Sequence, residues 1–148
     1  MIIERATEAD LDAIDLIEQL SFPAPWPRAT FAGELAREWA HIDVGRVDGQ
    51  LVAFNNYWIV TTELHILAIA THPDHRGRGH GAQLLDHAIR NAIATGCALA
   101  TLEVRRSNVA AIAMYERAGF RTVHVRARYY QDDGEDALVM LRGLSRSA

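Results

Sequence analysis

A mixed α/β fold, one mostly antiparallel sheet flanked by helices and spanning residues 1–148 as a single domain, is what this sequence predicts on three observations. Apolar residues recur with period two in some stretches and with period near 3.6 in others, and the two patterns alternate along the chain. Asp48 and Gly49 separate two strand-like runs and form a hairpin turn, which joins antiparallel neighbours. Gly77, Gly79 and Gly81 stand on alternate positions between a strand-like run and a helix-like one. With 148 residues, 49% of them hydrophobic and 23% charged, the chain is sized for one core. It contains no internal repeat, low-complexity segment or linker.

The elements follow in order. "MIIER" reads as a short strand. Thr7 and Asp10 have the spacing of a capping box ahead of a helix that presents Leu11, Ile14, Ile17 and Leu20 on one face. The loop "SFPAPWP" carries three prolines, and Phe31, Leu35 and Trp39 then recur every four residues along a second helix. "HIDVGRV" and "QLVAFNNYWIV" are the arms of the Asp48-Gly49 hairpin, and "ELHILAIAT" is the next strand. Leu84, Leu85, Ala88, Ile89, Ala92 and Ile93 form a broad apolar stripe on a helix closed by Gly96 in the C′ position. "LATLEV" is a strand, and "SNVAAIAMYERA" a helix with Ser107 as N-cap and Gly119 as stop. "FRTVHVRAR" and "DALVMLRGL" make a final antiparallel pair around "YYQDDGE".

Composition excludes several functions. Fifteen basic against nineteen acidic residues leave a net charge of −4, which argues against a nucleic-acid binder held by bulk charge. No apolar run approaches a bilayer span, and the first residues carry acids where a signal peptide carries basic residues, so a cytoplasmic protein without membrane contact is expected. Every basic residue is arginine, which removes Schiff-base chemistry and a Walker-type phosphate lysine. Cys97, the single cysteine, cannot form an internal disulfide and sits where a buried structural thiol would. His72, Asp74, His75 and His80 share the glycine-rich stretch, but such a loop is too mobile to fix ligand geometry, and no metal is expected.

The glycine-rich stretch lies between a strand and a helix, so the free N–H groups of the helix's first turn face whatever occupies the loop. Glycines let the backbone come within hydrogen-bond distance of phosphate oxygens, and Arg76 and Arg78 add charge at the rim. The spacing is R-x-x-G-x-G, unlike a dinucleotide fingerprint. Asn108 and Tyr115 are seven residues apart on one face of the later helix, about 10 Å along its axis, so one ligand arm could touch both. Glu103, near the end of "LATLEV", is either a solvent-facing strand residue or a base.

Arg76, Gly79 and Gly81 match the Q/R-x-x-G-x-G/A loop of the GCN5-related N-acetyltransferases (GNAT), and "LEVRRSNVAAIAMYERAGF" is similar to that family's next strand and helix through Asn108, Ala111, Tyr115, Glu116, Gly119 and Phe120. The resemblance covers essentially the whole chain. "SFPAPW", "LEVRRSN" and the passage from "RARYY" to "GEDALVM" bring it nearest to the branch that acetylates the N-terminal alanine of ribosomal proteins. It implies the GNAT fold, acetyl-CoA as co-substrate, and a protein or peptide N-terminus of Ala or Ser type as acceptor, with a ribosomal protein as partner. By that resemblance Arg76, Gly77, Arg78, Gly79, His80, Gly81 and Ala82 cradle the pyrophosphate. Ile69, Ala70 and Thr71 contact the thioester and pantetheine through their backbone, and Asn108 bonds the pantetheine arm. Tyr115 becomes the general acid for the departing thiolate and Glu103 the base. From the residues themselves, Phe22, Trp26, Tyr57, Trp58, Tyr129 and Tyr130 are either core or walls of a peptide groove, with Trp26 and the Tyr129-Tyr130 pair the better groove candidates. The basic stretch Arg105, Arg106, Arg117, Arg121, Arg126 and Arg128 either guides a phosphate or ribosomal partner or is a solvated face. The same fold acting on a free small amine, and a module that binds acetyl-CoA without turnover, are the competing readings; the presence of both Glu103 and Tyr115 speaks against the second.

Overall fold

A computed structural model describes residues 1–144. Its elements are β1 (Ile2–Arg5), α1 (Leu11–Ser21), α2 (Arg28–Leu35), β2 (Ala40–Val47), β3 (Gln50–Val60), β4 (Glu63–Thr71), α3 (His80–Ala94), β5 (Leu99–Arg105), α4 (Val109–Arg117), β6 (Arg121–Arg126) and β7 (Ala137–Gly143). The seven strands form one sheet in the order β1-β2-β3-β4-β5-β7-β6. Only β4 and β5 run parallel; every other pair is antiparallel. The β2–β3 turn has both Asp48 and Gly49 at positive φ, the geometry of the tight hairpin turn their sequence favours.

Alternation along β3 sends neighbours to opposite faces. Phe54 packs with Ile14, Ile17 and Phe31 beneath α1 and α2, whereas Ala53 packs with Leu84 beneath α3. A larger cluster joins Leu85, Ala88 and Ala92 of α3 to Leu102 of β5, Tyr115 of α4 and Phe120. Cys97 is buried in it. Both α3 and α4 end in the same device. Gly96 and Gly119 take positive φ, the next residue's N–H returns to the carbonyl five back (Cys97 to Ala92, Phe120 to Tyr115), and the glycine's N–H bonds the carbonyl three back. At α4 this clamps Tyr115, because Phe120 also packs edge-on against its ring at 5.9 Å.

Three local expectations are corrected. Leu20 is 49% exposed rather than on the buried face of α1. It lies nine residues after Leu11, about 180° around the helix, and the place in the stripe belongs to Glu18, seven residues after Leu11. The second helix stops at Leu35 and does not reach Trp39, which is 47% exposed; the chain must already turn there into β2, and the Trp39 carbonyl accepts the Ile59 N–H at 2.9 Å. The N-cap of α4 is Asn108, not Ser107: its Oδ1 accepts the Ala111 N–H at 3.3 Å. The Thr7-Asp10 pair is present, with the Thr7 N–H on Asp10 Oδ2 at 3.0 Å, and caps a short 3-10 turn that leads into α1.

Two acids lie under the helices. Glu34 of α2 is almost fully buried and accepts from Trp58 Nε1 at 2.7 Å, Asn56 Nδ2 at 3.2 Å and Arg37 Nη1 at 2.8 Å, so its charge is offset. Asp43 of β2 accepts the Tyr57 hydroxyl at 2.7 Å. Burial and that neighbouring carboxylate push the Tyr57 phenol upward.

Candidate active site

The sheet opens at its one parallel seam. β4 and β5 are paired only from Glu63 opposite Leu99 to Ile66 opposite Leu102. At the next position β4 carries an extra residue relative to β3: Ala68 faces Asn56 and Ile66 faces Tyr57, leaving Leu67 as a bulge, which bends a strand and breaks its ladder. From Leu67 to Thr71 the edge of β4 that faces β5 therefore has no strand beside it. Glu103 is the first residue of β5 beyond the last pair. Two adjoining cavities occupy this region.

The first, about 400 Å³, is walled by Ile69, Ala70 and Thr71, by Arg76, Gly77, Gly79, His80, Gly81 and Ala82, and by Asn108, Met114 and Arg117 of the α4 region. Gly77 and Gly79 have φ of +78° and +81°, a backbone shape that glycine adopts without cost, and a Cβ placed at Gly79 would meet nothing within 4 Å. The backbone is thus bare toward the cavity. The first intrahelical bond of α3 runs from Gln83 N–H to the Gly79 carbonyl at 3.1 Å, so the N–H groups of His80, Gly81 and Ala82 are left for an external acceptor. Helix dipole and free N–H groups together favour an anion there. Gly81 serves packing: a Cβ would come 3.1 Å from the Met114 sulfur. His80 Nδ1 is buried without a hydrogen-bond partner among the described residues, and burial pushes its imidazole pKa down.

Arg76 lines the cavity, but its Nε is held by the Thr71 carbonyl at 2.9 Å and its Nη2 by Ser21 Oγ at 3.1 Å, so it ties the loop to β4 and α1. Arg78 lies outside the lining and sits 3.4 Å from His75 Nδ1. His72 Nδ1 accepts the Asp74 N–H at 3.1 Å, a turn contact. Of the later basic stretch, Arg117 alone lines this cavity. Arg105 is spent on Asp132 and Asp133, Arg106 on Asp136, and Arg126 lies 3.8 Å from Glu103 and over the Tyr129 ring.

The second cavity, about 590 Å³, continues from the first through the shared residues Phe22, Ile69, Asn108 and Ala111. It gathers Glu103, Tyr115, Trp26, Tyr129 and Tyr130 with Glu18, Arg105 and Asp132. Glu103 accepts the Tyr129 hydroxyl on Oε2 at 2.9 Å, which orients the carboxylate. That bond is also the main reason the Tyr129 phenol is raised. Tyr115 is 6% exposed, and burial raises its phenol well above the usual range. Tyr130, under the Arg105 guanidinium at 4.0 Å, is pushed up to about 12 by burial. Trp26 stacks obliquely on Phe31, with ring centres 5.7 Å apart. Chemically this is a carboxylate and a neutral phenol sharing one aromatic-walled cavity, next to an anion cradle and an open strand edge. Leu67 and Glu18 were missed from the sequence. The one signal for Glu18 was an acid in register with the apolar stripe of α1.

The model of the acetyltransferase (GNAT) family matches residues 11–120. The [ribosomal protein bS18]-alanine N-acetyltransferase of Escherichia coli (strain K12) is 37% identical over 138 residues, 92% of this chain and 93% of that protein. The crystal structure of the ribosomal-protein-S18-alanine N-acetyltransferase from Escherichia coli is similar with a TM-score of 0.90 at 36% identity, covering 99% of this chain and 96% of that one. Ard1 from Thermoplasma volcanium is similar with a TM-score of 0.88 at 26% identity, over 97% of each chain.

Proposed function

Because this chain belongs to the acetyltransferase (GNAT) family, we propose that its two cavities transfer the acetyl group of acetyl-CoA to the α-amino group of an N-terminal Ala or Ser residue of a ribosomal protein. The chain is an acetyl-CoA-dependent N-acetyltransferase. The observation that carries the finer reading is the joining of the glycine-loop cavity to the one that holds both Glu103 and Tyr115.

Acetyl-CoA is a substrate here, and when bound it supplies an acetyl thioester. The N–H groups of Gly79 to Ala82 at the start of α3 fit its pyrophosphate, and Arg117 fits the phosphates at the far wall. Asn108 keeps its Oδ1 on the helix cap, which leaves Nδ2 to donate to the pantetheine arm. The open edge of β4 offers backbone N–H groups to the thioester carbonyl and to the oxyanion that develops there. Glu103 takes a proton from the attacking amine, and the Tyr115 hydroxyl donates one to the departing sulfur. Trp26, Tyr129 and Tyr130 wall the acceptor peptide. We place the enzyme in the cytoplasm, with acetyl-CoA and a protein N-terminus as its two substrates. No helix among the described residues is long and apolar enough to cross a bilayer.

A free small amine as acceptor is not favoured, since a relative at 37% identity bears the ribosomal-protein name. A panel of short peptides that differ only in residue one, run beside a free polyamine, tests the reading by release of CoA. Ala and Ser peptides react at least tenfold faster than the polyamine, a difference of about 1.4 kcal/mol in transition-state stabilisation. A polyamine turned over as fast as the best peptide contradicts it.

A further inference from the structure

Glu18 stands apart from the residues already given roles. It is 3% exposed yet lines the acceptor cavity together with Glu103 and Tyr115. Its Oε2 accepts the Trp26 N–H at 3.0 Å, which pins the proline-rich loop to α1. Its Oε1 is buried with no hydrogen-bond partner among the described residues. A buried carboxylate oxygen left without a donor is costly, and native folds retain such groups where something else completes them. No cation of the cavity does so. Arg105 is the one arginine on the wall, and Asp132, Asp133 and Glu135 take its guanidinium. The other charges nearby are acidic: Asp15 one turn back on α1, Glu103 on β5, and Asp132.

From this we infer that Glu18 anchors the substrate's α-ammonium group, receiving one of its N–H donors on Oε1 while Glu103 removes a proton from the same nitrogen. The inference rests on the reading of this cavity as the acceptor site. An ammonium carries three N–H groups, so it can arrive charged, bond Glu18 through one, and pass a second proton to Glu103. Glu103 releases that proton to solvent, and the neutral amine, still held by Glu18, gives Glu103 its second proton as it attacks, replacing the one that Tyr115 hands to the departing sulfur. Burial pushes the Glu18 pKa up, and a cation beside the carboxylate works against that shift by favouring the charged form. In this scheme Glu18 is a positioning residue, and it sets a preference for acceptors that enter as a compact cation at a chain terminus.

The test is steady-state kinetics of Glu18→Gln with an N-terminal alanyl peptide from pH 6.5 to 9. Glutamine keeps a carbonyl oxygen for the Trp26 N–H, so the loop stays pinned while the charge is lost. The peptide KM is expected to rise about tenfold to a hundredfold at pH 6.5–7, with kcat within about threefold and the acetyl-CoA KM unchanged. The rise shrinks toward pH 9, where the amine, with a pKa of about 7.7–8.0, arrives neutral. Glu18→Ala is expected to raise the peptide KM at least as much. An unchanged peptide KM, a rise of the same size at every pH, a parallel loss of acetyl-CoA binding, or failure of both variants to fold each overturns the anchor. If the wild-type enzyme leaves free N-termini unmodified, the acceptor reading falls and the anchor with it; an active wild type beside an unaffected variant overturns the anchor alone.

Discussion

Replacing Tyr115 by Phe is expected to lower kcat by about 10² to 10⁴ while acetyl-CoA binding stays nearly intact. The substitution removes one hydroxyl and leaves the ring, which is held by the Phe120 N–H on the Tyr115 carbonyl and by the Phe120 ring, so the fold has no reason to change. The size of the effect follows from the role. A departing thiolate needs a donor that still holds its proton at working pH, and burial keeps this phenol protonated. Because its pKa is raised rather than lowered, Tyr115 adds no ionisation of its own to the pH–rate profile near neutrality. Stopped turnover assays with matched calorimetry of acetyl-CoA binding check this. Equal losses in turnover and binding make Tyr115 a packing residue, and unchanged turnover removes it from the mechanism.

Glu103→Gln is expected to slow acetylation of an N-terminal Ala or Ser peptide by about 10 to 10³ near neutral pH, with partial recovery as pH rises. An α-amino group with a pKa of about 7.7–8.0 is roughly a tenth neutral at pH 7, whereas a lysine amine near 10.4 is neutral about once in 2,500. The N-terminal amine therefore asks little of its base. One carboxylate, oriented by the Tyr129 hydroxyl and facing the cavity, suffices to remove the proton during attack. Above pH 8 most of the amine is already neutral and the loss of the carboxylate matters less, so the variant's rate rises with pH where the wild type levels off. A Glu103→Gln enzyme with the wild-type pH–rate profile sinks the assignment.

What the sequence made legible was local. Gly77 and Gly79, the Asp48-Gly49 turn and the Gly96 and Gly119 stops act through their own backbone geometry, and each appears where its residue type demands it. The placing of Glu103 and Tyr115 in one cavity was legible through resemblance, since they lie 12 positions apart on different elements and periodicity on one element says nothing about the other. What stayed hidden depended on distant partners. Arg76 was read for its charge alone, because nothing nearby in the chain announces Ser21, 55 residues away, as its partner. Arg105 looked like part of a basic face because its acids come 27 to 30 residues later. The bulge at Leu67, which opens the sheet, has no residue-type signature in "ELHILAIAT". Trp39 kept helical spacing with Leu35, but the strand that begins at Ala40 claimed the backbone first.

The measurement that bears most directly on N-terminal acetylation uses one peptide offering both a free N-terminal alanine and an internal lysine, incubated with the enzyme and acetyl-CoA and read by tandem mass spectrometry. The acetyl group is expected on the α-nitrogen, with the lysine unmodified until the N-terminus is consumed and with an N-terminally blocked copy reacting poorly. Acetylation of the lysine at a rate equal to or above that of the N-terminus contradicts the account.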